Sequence, residues 1–218
     1  LFIVVPSEGD VVKTQAAMNR LAGKSLSFPT KDYNFRTVES VSRFDENRRI
    51  ETVAAIRKKE FSSVVIPAEA LCTLVMPPED YREMTIRPAD TVEFDKIADI
   101  LVSFGYERFS NVTGQGQFSI RGGIVDIFPP SEAQPYRIEF WDNDVDTVSL
   151  FDVNTQRRTE PVDGVRITPA KEYRAEIAEK LLEAITPFEG NEYADEDAEK
   201  LRGGILPKHD RWLPACYG

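Results

Sequence analysis

Residues 106–167 form a succession of short segments of β-type composition, separated by tight turns and interrupted by no helical pattern. Gly122-Gly123 and Asp142–Asp144 are residue types that favour such turns. Strands joined by short turns run antiparallel, because a parallel connection needs a crossover of about a dozen residues or more. This region therefore predicts a mostly antiparallel sheet that ends near Ile167.

Residues 1–80 show a different pattern, in which apolar runs alternate with helical ones. The run LFIVVP is typical of a central strand in a parallel sheet. The next segment predicts a helix with Val11, Ala16 and Leu21 on its buried stripe and Gly23 at its end. A second amphipathic helix in RFDENRRIETVAAIRKK precedes a buried strand in FSSVVIPAEAL, which leads into a short helix. This β-α-β order predicts a largely parallel sheet.

A proline-rich link around MPPEDYREMTIRP separates the two patterns, and a helix over TVEFDKIADILVSF, stopped by Gly105, opens the second one. The predicted fold class is α/β: a parallel-sheet layer, similar to a degenerate P-loop layer, with an inserted α+β domain of mostly antiparallel strands. We expect residues 1–80 in the first layer, 81–168 in the inserted module, and 169–218 returning to the first layer. The helical segment AKEYRAEIAEKLLEAI opens this return, and the tail from residue 187 is not assigned.

Composition excludes several classes of protein. With 41% hydrophobic and 29% charged residues, the 218-residue chain is typical of a globular protein, and no apolar run is long enough for a membrane helix. The net charge of −10 argues against non-specific DNA binding, which depends on Lys and Arg. Two distant cysteines, Cys72 and Cys216, fit a reducing cytoplasm. The chain starts mid-strand without Met, which we interpret as a fragment of a longer protein.

Two glycine-containing motifs invite a nucleotide-site interpretation that their context does not support. The stretch AGKS at Ala22–Ser25 lacks the first glycine of a phosphate loop, since Met18 stands there, and it ends a helix instead of opening one. GQGQFS begins as Gly-x-Gly but is followed by a strand, so a loop is the better interpretation.

His209, the only histidine, is expected on the surface, and the acidic run EGNEYADEDAEK lacks metal-loop spacing and is interpreted as a solvated loop or helix face. The sequence therefore predicts no catalytic group, no cofactor site and no metal site in this chain.

Strand alternation indicates a candidate binding face. In FSIRGG, Arg121 lies on the face opposite Phe118, and in PYRIEFW, Arg137 and Trp141 share the face opposite Ile138. If the two strands are neighbours, Arg121, Arg137 and Trp141 form one outward set. A solvated sheet face would explain the polar residues, whereas exposed Trp beside Arg is the composition of interface hot spots. These residues alone leave both interpretations open.

The stretch from GYER through RGGIVDIFP and RIEFWDNDVD to FDVNTQR closely resembles the UvrB-homology module of the bacterial transcription-repair coupling factors (Mfd). A weaker similarity, which includes RFDENRRIETVAAI, extends over most of the chain. The related excision subunit UvrB has a true phosphate loop near its start and a DNA-clamping aromatic hairpin. Here AGKS fails as such a loop, and KDYNFRTVES is too short for the hairpin, so the resemblance favours the coupling factors.

The resemblance implies a function. In the coupling factors this module docks UvrA and so recruits nucleotide excision repair to a stalled RNA polymerase. By motif position, the implied UvrA-binding residues are Arg121, Arg137 and Trp141, and in relatives an aromatic other than Trp can occupy the position of Trp141. The family's ATP- and Mg-dependent translocase motors and its polymerase- and DNA-binding parts lie further along the longer protein. A C-terminal domain of that protein masks the docking face. The chain itself is expected to be a non-catalytic adaptor.

Two other functions are kept for comparison. In one, the chain is a DNA-contacting module of a UvrB-type excision subunit, in which Arg121 and Arg137 meet phosphates and binding weakens steeply with salt. In the other, a degenerate helicase fold still binds nucleotide, and ATP then protects the chain against thermal unfolding.

Overall fold

The structure is a computed structural model that describes residues 1–30, 44–73, 75, 81–172, 178–202 and 212, with the backbone alone for residues 178 and 179. A three-stranded parallel sheet and a six-stranded, mostly antiparallel sheet dominate this part of the chain. The predicted fold class is confirmed: a parallel α/β layer is combined with an α+β unit of mostly antiparallel strands.

The parallel unit is built from three strands and two helices in alternation. In chain order these are β1 (Phe2–Val5), α1 (Glu8–Ala22), β2 (Ser25–Ser27), α2 (Phe44–Lys58) and β3 (Ser63–Pro67), and β3 continues into a short 3-10 helix at Ala68–Cys72. The strand order is β1-β3-β2, so the β3 residues Val64 and Val65 are fully buried between two neighbours. Among the described residues β1 is an edge strand, and the prediction of a central one was wrong.

Helix α1 forms and ends as predicted, but it buries a different face. Gly23 follows its last residue with a φ of 87°, a conformation that favours glycine. Val11 is buried, whereas Leu21 is 81% exposed and Ala16 is also exposed. The side chain of Gln15 instead donates a hydrogen bond to the carbonyl oxygen of Ser25 at 2.9 Å. The inward face of α1 is therefore partly polar, and an apolar stripe does not identify it.

The second unit begins inside the segment interpreted as a link, because residues there form a strand. Its elements are β4 (Met84–Ile86), α3 (Phe94–Ser103), β5 (Glu107–Arg108), β6 (Gln117–Arg121), β7 (Ile124–Phe128), β8 (Tyr136–Trp141), β9 (Asp144–Phe151), β10 (Arg158–Pro161) and β11 (Val165–Ile167). The six-stranded sheet has the order β10-β9-β8-β7-β6-β5, with only β5 and β6 parallel, while β4 pairs with β11. The predicted antiparallel meander up to Ile167 is confirmed.

Helix α3 covers one face of this sheet. Its buried residues Ile97 and Leu101 belong to one apolar cluster with residues of β6, β7 and β8, among them Phe118, Val125 and Ile138. Phe94 at the start of α3 packs edge-on against Phe140, with ring centroids 5.1 Å apart. The apolar cluster lies on this side of β6, β7 and β8, so their other side carries a different set of side chains.

The end of the described chain forms a helical pair. Helices α4 (Ala178–Ile185) and α5 (Glu192–Arg202), joined through a 3-10 turn at Thr186–Phe188, pack through a small cluster that includes Leu181 and Ala198. The acidic run therefore lies largely on a helix, in agreement with the interpretation as a helix face. His209, Cys216 and the segment KDYNFRTVES lie outside the described residues. No helix in the described ranges is long and apolar enough to cross a membrane.

Candidate protein-docking face

The side of β6, β7 and β8 that is turned away from α3 is called the outer face here. Alternation along these strands gives this face Arg121 from β6, Asp126 from β7 and Arg137 from β8. The register sets Asp126 directly opposite Ser119 on one side and Arg137 on the other. The condition set in the sequence analysis, that the strands of the two arginines are neighbours, is not met, because β7 lies between β6 and β8.

A single buried carboxylate joins the two arginines across this intervening strand. Asp126 has 0% of its surface exposed. Arg137 donates from Nε to Oδ1 of Asp126 at 2.6 Å and from Nη2 to Oδ2 at 2.8 Å, while Arg121 donates from Nη2 to Oδ2 at 2.7 Å. The Arg137–Asp126 pair is bidentate, and charge-assisted hydrogen bonds of this kind are among the strongest hydrogen bonds in proteins. The structure thus brings Arg121 and Arg137 together through a residue that sequence reasoning had missed.

The two arginines differ in how much of each side chain reaches solvent. The side chain of Arg121 is 46% exposed, and its Nη1 also donates to Oδ1 of Asn111 at 3.1 Å. The side chain of Arg137 is 13% exposed, and its Cζ lies 5.2 Å from the ring centroid of Phe151. Hydrogen bonding to Asp126 raises the pKa of Arg137 above its usual value. Both residues are on the predicted face, but only Arg121 is half open to a partner.

The charge pattern continues across the sheet on the side of Arg137. Glu139, next on this face of β8, accepts a hydrogen bond from Nη1 of Arg158 on β10 at 3.3 Å. Positive and negative side chains therefore alternate from β6 to β10. Because Asp126 is shared between two guanidiniums, the cluster around it keeps a surplus of one positive charge.

Trp141 projects from the far end of β8 and is 82% exposed. Its neighbours hold this end of the sheet in place: Oδ1 of Asn143 accepts the backbone N–H of Phe94 at 3.0 Å, and Oδ1 of Asp144 accepts the hydroxyl of Thr91 at 2.9 Å. These bonds attach the β8–β9 turn to the segment that leads into α3. The exposed Trp141 side chain is therefore carried by a backbone that is held in place.

A signal for Asp126 was present in the sequence. The segment IVDIF was interpreted as a largely buried strand, yet it carries one carboxylate between apolar residues. A buried carboxylate needs a cationic or donor partner. The Gly122-Gly123 turn makes this strand the neighbour of FSIR, whose Arg121 is the nearest cation. Asn111, in the loop before β6, carried no such signal.

The two glycine-containing motifs lie at a helix end and in a loop. The AGKS segment begins with the last residue of α1, and the backbone N–H of Ser25 donates to Oδ1 of Asn19 at 2.8 Å. In GQGQ, Oε1 of Gln117 accepts the backbone N–H of Gly114 at 3.0 Å, which ties the loop to the start of β6. Within the described ranges, no group of His, Cys, Asp and Glu has the arrangement of a metal site.

Comparison with known proteins identifies the second unit. The family described as the UvrB interaction domain matches residues 84–173, which include all strands from β4 to β11. Residues 84–173 therefore carry a UvrB interaction domain.

Three relatives show the extent of the similarity. The transcription-repair-coupling factor of Bacillus subtilis (strain 168) is 33% identical over 172 residues, which cover 75% of this chain and 14% of the relative. That of Staphylococcus aureus (strain USA300) is 32% identical over 168 residues, covering 76% and 14%, and that of Staphylococcus haemolyticus (strain JCSC1435) is 33% identical over 148 residues, covering 67% and 13%. The match thus spans about one seventh of the length of these relatives. Together with the domain match, this similarity confirms the resemblance to the UvrB-homology module of the transcription-repair coupling factors.

Proposed function

We propose that this chain is a non-catalytic adaptor of a transcription-repair coupling factor, which docks UvrA and thereby recruits nucleotide excision repair to stalled RNA polymerase. The observation that carries the proposal is the outer face itself. Arg121 and Arg137 are held by the buried Asp126, and the same face ends in an exposed Trp141. One side of the sheet packs on the apolar core, and the other carries ordered charged side chains. This division fits a module that folds within one protein and binds another.

The side chains of this face match the chemistry of interface hot spots. Trp, Tyr and Arg dominate such hot spots, because they combine large contact areas with directional hydrogen bonds. A Trp with 82% exposure buries little within its own chain, so its apolar area is available to a partner. A solvated sheet face needs neither an exposed indole nor two guanidiniums fixed on one carboxylate.

Other parts of the longer protein would supply the remaining activities. We propose that ATP and Mg serve motor domains outside this chain, and that the coupling factor reaches RNA polymerase and DNA through other parts. We also propose that a C-terminal domain of the longer protein masks the outer face until UvrA is needed. The boundaries 1–80, 81–168 and 169–218 are kept as the proposed domain division.

Calorimetric titration of the chain with UvrA tests the adaptor. We expect the wild type to bind and the Arg121→Ala, Arg137→Ala double variant to bind at least about thirtyfold more weakly, since one lost hot spot costs about 2 kcal/mol. A double variant with the same charge change on other surfaces, Arg20→Ala with Arg202→Ala, serves as the control, because both arginines are exposed and lie on α1 and α5. Equal binding by the two double variants would refute the assignment of the face.

The competing functions have their own measurements. A phosphate-binding role for Arg121 and Arg137 requires duplex DNA binding that weakens steeply with salt. Their shared carboxylate and the net charge of −10 make this role unfavourable, so we expect a flat DNA titration. Residual nucleotide binding would raise the thermal midpoint in the presence of ATP, and we expect no change.

A further inference from the structure

Asp126 is a carboxylate with no exposed surface, located in the middle of the outer face. We propose that it is a positioning residue for docking, which fixes both guanidiniums and gives them different tasks: Arg121 contacts the partner, and Arg137 supports it. This inference rests on the proposed docking function and adds to it the roles of the individual residues.

The bonding pattern shows why one carboxylate acts on both arginines. Oδ2 of Asp126 accepts from Nη2 of Arg121 at 2.7 Å and from Nη2 of Arg137 at 2.8 Å, so a movement of either guanidinium changes the bond of the other. Arg137 also occupies Oδ1 through its Nε at 2.6 Å. The carboxylate itself cannot move far, because β7 is hydrogen-bonded to β6 and β8 on both sides.

Burial makes an aspartate an unfavourable choice at this position unless it has a task. A carboxylate inside a sheet is costly to desolvate, and replacing a whole buried ion pair by apolar residues of similar volume often gives equal or greater stability. The neighbouring residues of β7, Val125 and Ile127, are fully buried and apolar, as expected for a strand in the middle of a sheet. What Asp126 provides is a fixed position for two cationic side chains.

The two arginines differ in side-chain exposure and in the number of N–H donors that remain for a partner. A guanidinium has five N–H donors. In the described contacts, Arg121 directs one to Asp126 and one to Asn111, which leaves donors for a partner on a side chain that is 46% exposed. Arg137 is 13% exposed and meets Asp126 through two nitrogens. Since one positive charge remains in surplus, the group that Arg121 meets on the partner is expected to be a carboxylate.

A double-mutant cycle on UvrA affinity tests the positioning role. Asn111 is exposed and holds Arg121 from the other side, so Asn111→Ala loosens the guanidinium without disturbing the sheet. We expect Asn111→Ala to weaken UvrA binding about threefold, the effect of one modest hydrogen bond, and to have no further effect once Arg121 is Ala. The matched cycle of Asn111→Ala with Arg158→Ala should be additive, because Arg158 bonds Glu139 instead.

Asp126→Asn provides the second arm, because asparagine has the same shape but lacks the charge. We expect a folded Asp126→Asn chain to bind UvrA about tenfold more weakly, and this loss should also vanish in the Arg121→Ala background. If Asp126→Asn does not fold, the Asn111 cycle decides whether a fixed position of the Arg121 guanidinium is needed for binding.

The outcomes separate this inference from the function on which it rests. The positioning role would be overturned if the losses of UvrA affinity were additive in the Arg121 cycle. It would also be overturned if Asn111→Ala and a folded Asp126→Asn chain both bound UvrA with wild-type affinity. Either result would leave UvrA docking intact. Wild-type affinity in Arg121→Ala would overturn the docking assignment and the positioning role together.

Discussion

At the scale of single residues, the outer face contains two arginines whose substitution should lower the stability of the chain by different amounts. Arg137→Ala removes a bidentate partner from the buried Asp126, so we expect a loss of about 2 kcal/mol or more in the free energy of unfolding. Arg121 is 46% exposed, and Arg121→Ala should cost less than about 1 kcal/mol. Urea denaturation followed by fluorescence gives both values. Arg158→Ala, on the same face, is the control for an exposed pair.

Equal losses from Arg121→Ala and Arg137→Ala would contradict the difference in burial that separates the two residues. We expect the free energy of unfolding to depend mainly on Arg137 and the affinity for UvrA to depend mainly on Arg121.

Trp141 should matter for affinity and not for folding. Its side chain is 82% exposed, so Trp141→Ala should change the free energy of unfolding by less than about 0.5 kcal/mol. If it anchors UvrA, the same substitution should weaken binding about thirtyfold. Val102 on α3 is 51% exposed on another surface, and Val102→Ala is the apolar control. A variant that keeps full affinity would remove Trp141 from the docking face.

At the scale of secondary-structure elements, the β6–β7 hairpin positions the charged cluster. A Cβ on Gly123 would stand 2.8 Å from the carbonyl oxygen of Phe140, and the backbone N–H of Phe140 donates to the carbonyl oxygen of Gly123 at 2.8 Å. Gly123→Ala should therefore destabilise the chain by about 1–3 kcal/mol, measured by chemical denaturation. Gly122 has a φ of 58° and an open surrounding, so Gly122→Asn should be tolerated. Equal costs would argue against the close approach at Gly123.

Glu132, in the loop between β7 and β8, is expected to make the stability of the chain depend on pH. Burial raises the pKa of Glu132, whereas the hydrogen bond that it accepts from the hydroxyl of Tyr136 at 3.1 Å lowers it. A carboxyl whose pKa is higher in the folded state binds protons more tightly there. Its favourable contribution is therefore complete below its unfolded pKa, and it is lost as the pH rises through the folded one.

Glu132→Gln removes this titration while it keeps an acceptor for Tyr136. We expect the variant to gain stability relative to the wild type at neutral pH, and the difference to shrink below about pH 4. Thermal unfolding at a series of pH values checks this. A gain that is the same at every pH would show that Glu132 is not the cause.

Alternation predicted the content of the outer face better than its arrangement. The side of the strand on which Arg121, Arg137 and Trp141 lie follows from period-two geometry alone. Alternation does not give the order of the strands in the sheet. That order places β7 between the two arginines and so produces their contacts with Asp126. Local patterns also missed β2, because Ser-Leu-Ser is too short for a periodic signal, and they misplaced the face of α1, which is bound through Gln15 and Asn19.

At the scale of the whole molecule, the two sheets are joined by a buried ion pair. Arg49 on α2 is fully buried, donates from Nε to Oε1 of Glu172 at 2.8 Å and from Nη1 to the carbonyl oxygen of Pro29 at 2.7 Å, and lies 3.9 Å over the ring of Phe28. Glu172 follows β11, at the end of the matched domain. The parallel unit is therefore attached to the module that carries the outer face.

Arg49→Ala should destabilise the chain by about 3 kcal/mol, because it leaves a buried carboxylate without this partner. Arg48→Ala, one residue earlier on the same helix, should cost no more than about 1 kcal/mol, since Arg48 makes only a partly exposed cation–π contact with Phe44 in the described structure. Urea denaturation measures both, and equal effects would contradict a structural role for the buried pair.

Hydrogen exchange of the chain with and without UvrA tests docking through the outer face without any substitution, because it maps the contact on the unchanged chain. We expect UvrA to slow amide exchange in β6, β7 and β8, with no change in α1 on the parallel unit. Protection confined to the parallel unit, with exchange in β6–β8 as in the free chain, would contradict docking through the outer face.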